Sequence, residues 1–136
     1  MILRLISCAA LGLALSTTAH AHHAFSAEFD VESPVEFTGK VTKVELINPH
    51  SWIHLAVTKE DGTTENWMIE GGSPNSLFRQ GVTKNSIPIG SELKVFGYQA
   101  RDGATRAVGR TIHFIDGTPL FFGGSAPPNS SGAPER

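Results

Sequence analysis

Cysteine and net charge are both scarce in this sequence, and each scarcity excludes a class of protein. Cys8 is the single cysteine among 136 residues, so no disulfide can form within the chain. With 11 basic and 13 acidic residues the net charge is −2 at pH 7. Such a chain lacks the basic footprint of proteins that bind nucleic acid or anionic membranes. A packed core, with or without a metal ion, therefore has to stabilise the fold.

Long apolar runs are also missing, apart from a short one near the N-terminus. Residues 5–15 are apolar but too few to span a bilayer, and Arg4 supplies the positive start of an export signal. Residues 19–21, Ala-His-Ala, have the small-x-small form of a cleavage site. We predict that residues 1–21 are a signal peptide and that the mature protein is periplasmic, beginning at His22. No second segment is apolar enough to cross a membrane.

The mature chain is predicted to contain one folded domain and a tail. Residues 123–136 are mostly Gly, Ser, Pro and Asn, and they cannot bury enough surface to offset the entropy of ordering them. We expect this tail to be disordered. Residues 22–122 then form a single β-barrel domain with an N-terminal arm, a size that suits one compact unit.

The alternation of apolar and polar residues predicts five strands and one short helix. The helix lies between strands three and four, over residues 74–80, where Ser73 is typical of an N-cap, Pro74 of the first helical position and Gly81 of the end. The five predicted strands are Glu36–Ile47, Ser51–Thr58, Thr64–Glu70, Glu92–Gln99 and Thr105–Ile115.

A one-residue shift in the apolar alternation of the first strand indicates that the strands form a barrel. Its apolar positions are in phase at Phe37 and Val41 and then shift by one residue to Val44 and Leu46, which predicts a β-bulge or sharp bend near Gly39. Three strands, a short helix and two more strands, with a long bent first strand, is the order of a small OB-like antiparallel β-barrel. A β-sandwich, which usually needs about seven strands, is the alternative.

Four short motifs resemble those of a known family. They are His22-His23-Ala24-Phe25, Asn48-Pro49-His50, the run Glu70-Gly71-Gly72-Ser73-Pro74-Asn75, and the run Gly97-Tyr98-Gln99-Ala100-Arg101-Asp102-Gly103. Together they resemble a family of small bacterial exported proteins catalogued as a domain of unknown function (DUF6152-like). The resemblance implies export and a β-rich domain, and it carries no established activity.

The predicted mature N-terminus is rich in nitrogen donors. A free α-amine followed by the imidazoles of His22 and His23 is a donor set that favours late first-row divalent metals, copper above the rest. Cleavage after Ala19 would leave His20 first and keep this character. The alternative is that a His-rich patch flanks the cleavage site and is frayed in solvent.

His50 is the third candidate metal ligand. It follows Asn48-Pro49, and because proline restricts both its own backbone and the residue before it, His50 leaves the turn in a defined direction. We predict that His22, His23 and His50 bind a copper ion. The alternative for His50 is a histidine at a strand end that makes one backbone hydrogen bond.

The other candidate residues are assigned lesser roles. His54 lies four strand residues from His50, a span of roughly 13 Å that is too long for one ion, and His113 alternates with Ile112 and should point outward. Trp52 shares a face with His50 and is either covered by the N-terminal arm or simply lies on a curved sheet. Glu70 could accept the N–H of a metal-bound imidazole, although a solvated strand end is the more ordinary expectation.

Three functions stay open on the sequence. The first is a periplasmic copper-binding protein, and the second is a non-catalytic module that binds a peptide, small molecule or partner protein near Trp52. The third is a copper redox enzyme built on an N-terminal histidine. No Ser-His-Asp, Cys-His or paired-carboxylate set marks a catalytic site. We therefore predict no catalytic residues and favour a function other than an enzyme.

Overall fold

The computed structural model describes residues 27–123. The predicted signal peptide, His22, His23 and nearly all of the predicted tail lie outside these residues. Along the chain the elements are β1 (Phe29–Glu45), β2 (Trp52–Thr58), β3 (Thr64–Glu70), the helix α1 (Pro74–Arg79), a 3-10 turn (Lys84–Ser86), β4 (Glu92–Ala100) and β5 (Arg106–Phe114).

The strands form a closed barrel in the order β1-β2-β3-β5-β4. Neighbouring strands are antiparallel except for β3 and β5, which run parallel over a short stretch. The predicted mostly-β, OB-like barrel with one short helix after the third strand is confirmed. Among residues 27–123, no helix is long and apolar enough to span a bilayer.

The strand β1 begins seven residues earlier than the sequence predicts, and it pairs with two neighbouring strands. From Pro34 onward it pairs with β4, and Phe29 pairs with Ala100 across an irregularity. Its last part, from Lys40, pairs with β2. The early start was missed because Ser33 and Pro34 interrupt the alternation that begins at Phe29.

The predicted bulge in β1 is confirmed, and it lies at Thr42, three residues after Gly39. Val41 pairs with Leu55 but Lys43 pairs with His54, so Thr42 is an extra residue without a partner in the ladder. At Gly39 a side chain has no room, because an added Cβ would lie 2.9 Å from Cγ2 of Val57. The strand therefore bends tightly over β2 as the barrel closes.

The barrel core is built from the inward faces of all five strands together with α1. Leu77 of α1 is fully buried, and the Ser73 side chain accepts a hydrogen bond from the Ser76 backbone N–H at 3.3 Å, so the predicted helix start is confirmed. The buried core residues are Val41, Val44, Ile53, Leu55, Val57, Trp67, Ile69, Leu77, Val82, Ile87, Leu93, Val95, Ala107, Ile112, Leu120 and Phe122.

A second, smaller apolar cluster lies apart from that core. It contains Phe29, Tyr98, Ala100 and Val108, all almost fully buried. Val108 follows Ala107 of the main core, and because neighbours in a strand point to opposite faces, this cluster lies on the outer side of the barrel. The early part of β1 therefore covers one patch of the outer surface, next to the end of β3, where Glu70 pairs with Val108.

Candidate functional site

The candidate site is a row of polar and aromatic side chains on the outer face where β2 begins. Trp52 pairs with Glu45 of β1 on one side and with Glu70 of β3 on the other, so these three residues share a face. His50 and His54 lie two residues before and two residues after Trp52. The pairing continues just beyond the strands, since the Ser51 N–H donates to the Gly72 carbonyl at 2.9 Å.

His50 and Glu70 form the first histidine–carboxylate pair of this row. The His50 Nδ1 atom lies 2.5 Å from Oε1 of Glu70. The His50 side chain is 41% exposed, whereas the Glu70 side chain is only 3% exposed. The expectation that Glu70 is a solvated strand end is therefore wrong, because Val108 and its apolar cluster lie beside it. The structure brings together His50 and the carboxylate proposed to support it.

Burial dominates the electrostatics of Glu70. Removal from water raises the pKa of this carboxyl group, and Glu28 raises it further, while His50 and Arg106 lower it. Within residues 27–123, Oε2 of Glu70 is buried with no hydrogen-bond partner, as is Nε of Arg106. Glu70 thus commits one oxygen to His50 and keeps the other enclosed.

Arg106 connects Glu70 to the start of the described chain. Its Nη1 atom lies 3.3 Å from Oε1 of Glu28. The Glu28 carbonyl accepts a hydrogen bond of 3.0 Å from the Arg101 N–H. Because Glu28 also acts on the charge of Glu70, the N-terminal arm joins the barrel close to the His50–Glu70 pair.

His54 and Glu45 form the second histidine–carboxylate pair. The His54 Nε2 atom lies 2.7 Å from Oε2 of Glu45, and Lys43 Nζ lies 2.6 Å from Oε1 of the same carboxylate. The hydrogen bond from Lys43, followed by that with His54, lowers the pKa of Glu45. Trp52 therefore lies between two histidines, each held by a carboxylate from a different neighbouring strand.

The His54–Glu45 pair was not predicted from the sequence, because it depends on the bulge at Thr42. If the same residues paired regularly past Val41, with no bulge, Glu45 would lie opposite Ser51 and on the core side of the sheet. With the bulge, Glu45 is opposite Trp52 on the outer face. The one-residue slip in the alternation of β1 was the signal that could have revealed this.

The remaining predicted ligands are not brought together by the described part of the chain. His22 and His23 precede it, and His113 lies on β5 opposite Lys94, with an isolated bridge to Pro119. His113 is partly exposed beside the buried Ile112, as expected. Between residues 27 and 123, no three His, Cys, Asp or Glu side chains are grouped so that they could hold a metal ion.

Comparisons with known proteins give a family and a distant structural likeness. A family model described as "Family of unknown function (DUF6152)" matches residues 11–110. No curated protein matches this chain. Among solved structures, the dimeric N-terminal domain of PriB protein from Thermoanaerobacter tencongensis is 19% identical, with a TM-score of 0.40. That match covers 62% of this chain and 97% of the other, and likeness of this degree carries no inference about function.

Proposed function

Because this chain belongs to the DUF6152 family of unknown function, its function has to be inferred from the site, and we propose that it is an exported periplasmic copper(II)-binding protein. His50 and the residues of the mature N-terminus, His22 and His23, are the proposed ligands. The supporting observation is the contact between His50 Nδ1 and the buried Glu70 carboxylate.

A histidine held in this way is prepared to bind a metal. The carboxylate of Glu70 engages Nδ1 and so leaves Nε2 of His50 as the ring nitrogen for coordination. Metal-binding histidines commonly donate their second N–H to a carboxylate, which orients the ring and raises its basicity as a ligand. A histidine with only a structural role at a strand end does not require a carboxylate that is almost fully buried.

The N-terminal arm is long enough to supply the other donors. The arm joins the barrel at Glu28, which contacts Arg106 beside Glu70. The six residues from His22 to Ala27 span at most about 20 Å when extended. Since the arm joins the barrel close to the His50–Glu70 pair, we expect the amine and imidazole of His22 and the imidazole of His23 to reach the exposed side of His50.

This donor set favours copper(II). Amine and imidazole nitrogens suit late first-row divalent metals, with copper(II) bound most strongly in that series. Chelation by the amine and the imidazole of His22 adds the second donor at little further entropic cost. Protons compete for the same nitrogens, whose reference pKa values are about 8 for the amine and about 6.5 for imidazole, so affinity falls as the pH drops from 7 to 5.

The alternative function is a non-catalytic binding module for a peptide, small molecule or partner protein. The observation that favours it is the position of Trp52, which is partly exposed and lies between Glu45 and Glu70. A partly exposed indole suits a cationic group, since the face of the ring attracts positive charge.

The proposed function is tested by titrating copper(II) into protein that begins at His22, in competition with a chelator of known affinity. His50→Ala, or one glycine added before His22, should each weaken binding by at least about tenfold, since even partners of metal ligands contribute that much. His113→Ala is the matched control and should bind as the native protein does. If the extended protein and His50→Ala both bind copper(II) as well as the native chain, the proposal fails and the binding module is favoured.

A further inference from the structure

We propose that the outer face of β2 and β3 carries a second copper site, specific for copper(I), with His54 and Met68 as ligands and Trp52 beside them. This site goes beyond the proposed function, because it uses neither His50 nor the N-terminus. All three of its residues lie in the described part of the barrel.

The strand register places the two ligands directly opposite one another. His54 of β2 pairs with Met68 of β3, and Trp52 pairs with Glu70, the next outward-facing position along β3. Directly opposed residues have Cβ atoms about 4.5–5.5 Å apart, and diagonal neighbours are within reach of long side chains. The imidazole, the thioether and the indole therefore share one small area, and all three are partly exposed.

The imidazole of His54 is held in place by its contact with Glu45. Its Nε2 atom lies 2.7 Å from Oε2 of Glu45, which leaves Nδ1 as the ring nitrogen for a metal. The Glu45 carboxylate is in turn fixed by Lys43 on its other oxygen. This repeats the arrangement of His50 and Glu70, with a carboxylate orienting a histidine that is partly exposed.

The thioether of Met68 decides which ion this site takes. Soft sulfur ligands select copper(I), whereas sites of nitrogen alone suit the divalent ion. Methionine is flexible enough to close on an ion between the strands, and the face of an indole attracts a cation placed over it. The amine and imidazoles of the first site contain no sulfur, so the two sites differ in the oxidation state they prefer.

The chain contains so little sulfur that a copper–sulfur contact can be assigned to one residue. The chain has two methionines and one cysteine, and Met1 and Cys8 both precede His22. In protein that begins at His22, the thioether of Met68 therefore supplies the only sulfur atom. Any copper–sulfur scattering seen by X-ray absorption must therefore come from Met68.

The first experiment is an anaerobic competition for copper(I) between protein that begins at His22 and the chelator bicinchoninate. Met68→Leu conserves volume in the strand, and His54→Gln keeps a polar side chain near Glu45. Each should weaken copper(I) binding by at least about tenfold, and the copper–sulfur scattering of the native protein should vanish in Met68→Leu. His113→Gln is the matched control and should bind copper(I) as the native protein does.

A second comparison separates this proposal from the proposed function. Protein with both the N-terminal glycine extension and His50→Ala should still bind copper(I) with native affinity, even though its copper(II) binding is reduced. Native copper(I) affinity in both Met68→Leu and His54→Gln, or the absence of copper–sulfur scattering in the native protein, would overturn the second site. Either result leaves the copper(II) site to be judged on its own test.

Discussion

Glu70 is the residue on which the candidate copper(II) site depends, because it is a carboxylate enclosed by protein. One oxygen contacts His50, and the other is buried without a hydrogen-bond partner in the part of the chain that the structure describes. Burying a carboxylate costs free energy unless it is compensated. Here the compensation comes from His50 and Arg106, while Glu28 opposes it.

The raised pKa of Glu70 predicts how the stability of the metal-free protein changes with pH. Between the unfolded pKa of a glutamate, about 4.3, and the raised value in the fold, the native state holds a proton that the unfolded chain has lost. The stabilising contribution of Glu70 to the free energy of unfolding is therefore fully present below the unfolded pKa. It is lost as the pH rises through the folded pKa.

The measurement is urea unfolding of the native protein and of Glu70→Gln between pH 4 and pH 8. Relative to the native protein, Glu70→Gln should gain stability as the pH rises through this window, since glutamine never ionises. Glu60→Gln, in the exposed turn after β2, is the surface control. A difference between native and Glu70→Gln that is constant over the window, or that changes in the opposite direction, contradicts the role of burial.

At the scale of the element, the bulge in β1 determines which side chains meet on the outer face. The extra residue Thr42 lets Val44 point into the core, where it is buried, and lets Glu45 point outward to His54. Because the side chains of a strand alternate, a regular strand of the same residues, with no bulge, would exchange the two faces for everything after Val41. The bulge thus controls both core packing and the second histidine–carboxylate pair.

Deletion of Thr42 should leave both features in place, because it removes the bulge and keeps the alternation. The shortened strand alternates regularly, so Val44 still points inward and Glu45 still points outward to His54. We expect the loss of stability in urea unfolding to be close to that of Thr42→Ala, the matched control, which removes only an exposed hydrogen bond from Oγ1 to the His54 carbonyl, worth about 1 kcal/mol. A further loss of about 1.5–3 kcal/mol, the burial free energy of Val44, would show that the deletion turns this side chain outward and would contradict the assigned register.

At the scale of the whole molecule, the barrel core and the candidate sites are separate. The core side chains point inward from the closed barrel, whereas His50, His54 and Met68 belong to the outward-facing set of β2, β3 and the turn before them. Folding should therefore not require metal. Binding to the native state alone still adds stability by mass action.

Metal removal is the test of this separation. Chelator-treated protein should keep its β-sheet circular dichroism and unfold cooperatively. Adding copper(II) to about 100 times its dissociation constant should then stabilise the fold by about 2.7 kcal/mol, which raises Tm measurably. Protein with one glycine added before His22 should show the same metal-free Tm, within about 1 kcal/mol of stability, and a smaller copper-induced rise. Loss of the circular dichroism signal on chelation would show that metal is part of the fold.

The sequence by itself determined the features that depend on near neighbours in the chain. The alternation of Ile53, Leu55 and Val57 placed β2 correctly within one residue, and β3 was predicted with its observed bounds. The cap, proline and glycine around Ser73 located the helix, and the slip after Val41 located the bulge. Each of these signals reflects backbone preference or a local period, which a short window of residues expresses in full.

Only the tertiary structure decided what lies beside each polar group. Glu70 is buried because Val108 of β5 pairs with it, through a parallel contact between strands far apart in the sequence. Glu45 meets His54 because the bulge sets the register between two strands. Burial and pairing of this kind arise from contacts between distant segments. The slip in β1 indicates the bulge but does not show which residue of β2 lies opposite Glu45. The sequence identified His50 as a candidate ligand. Its contact with the buried carboxylate of Glu70 could be established only from the closed barrel.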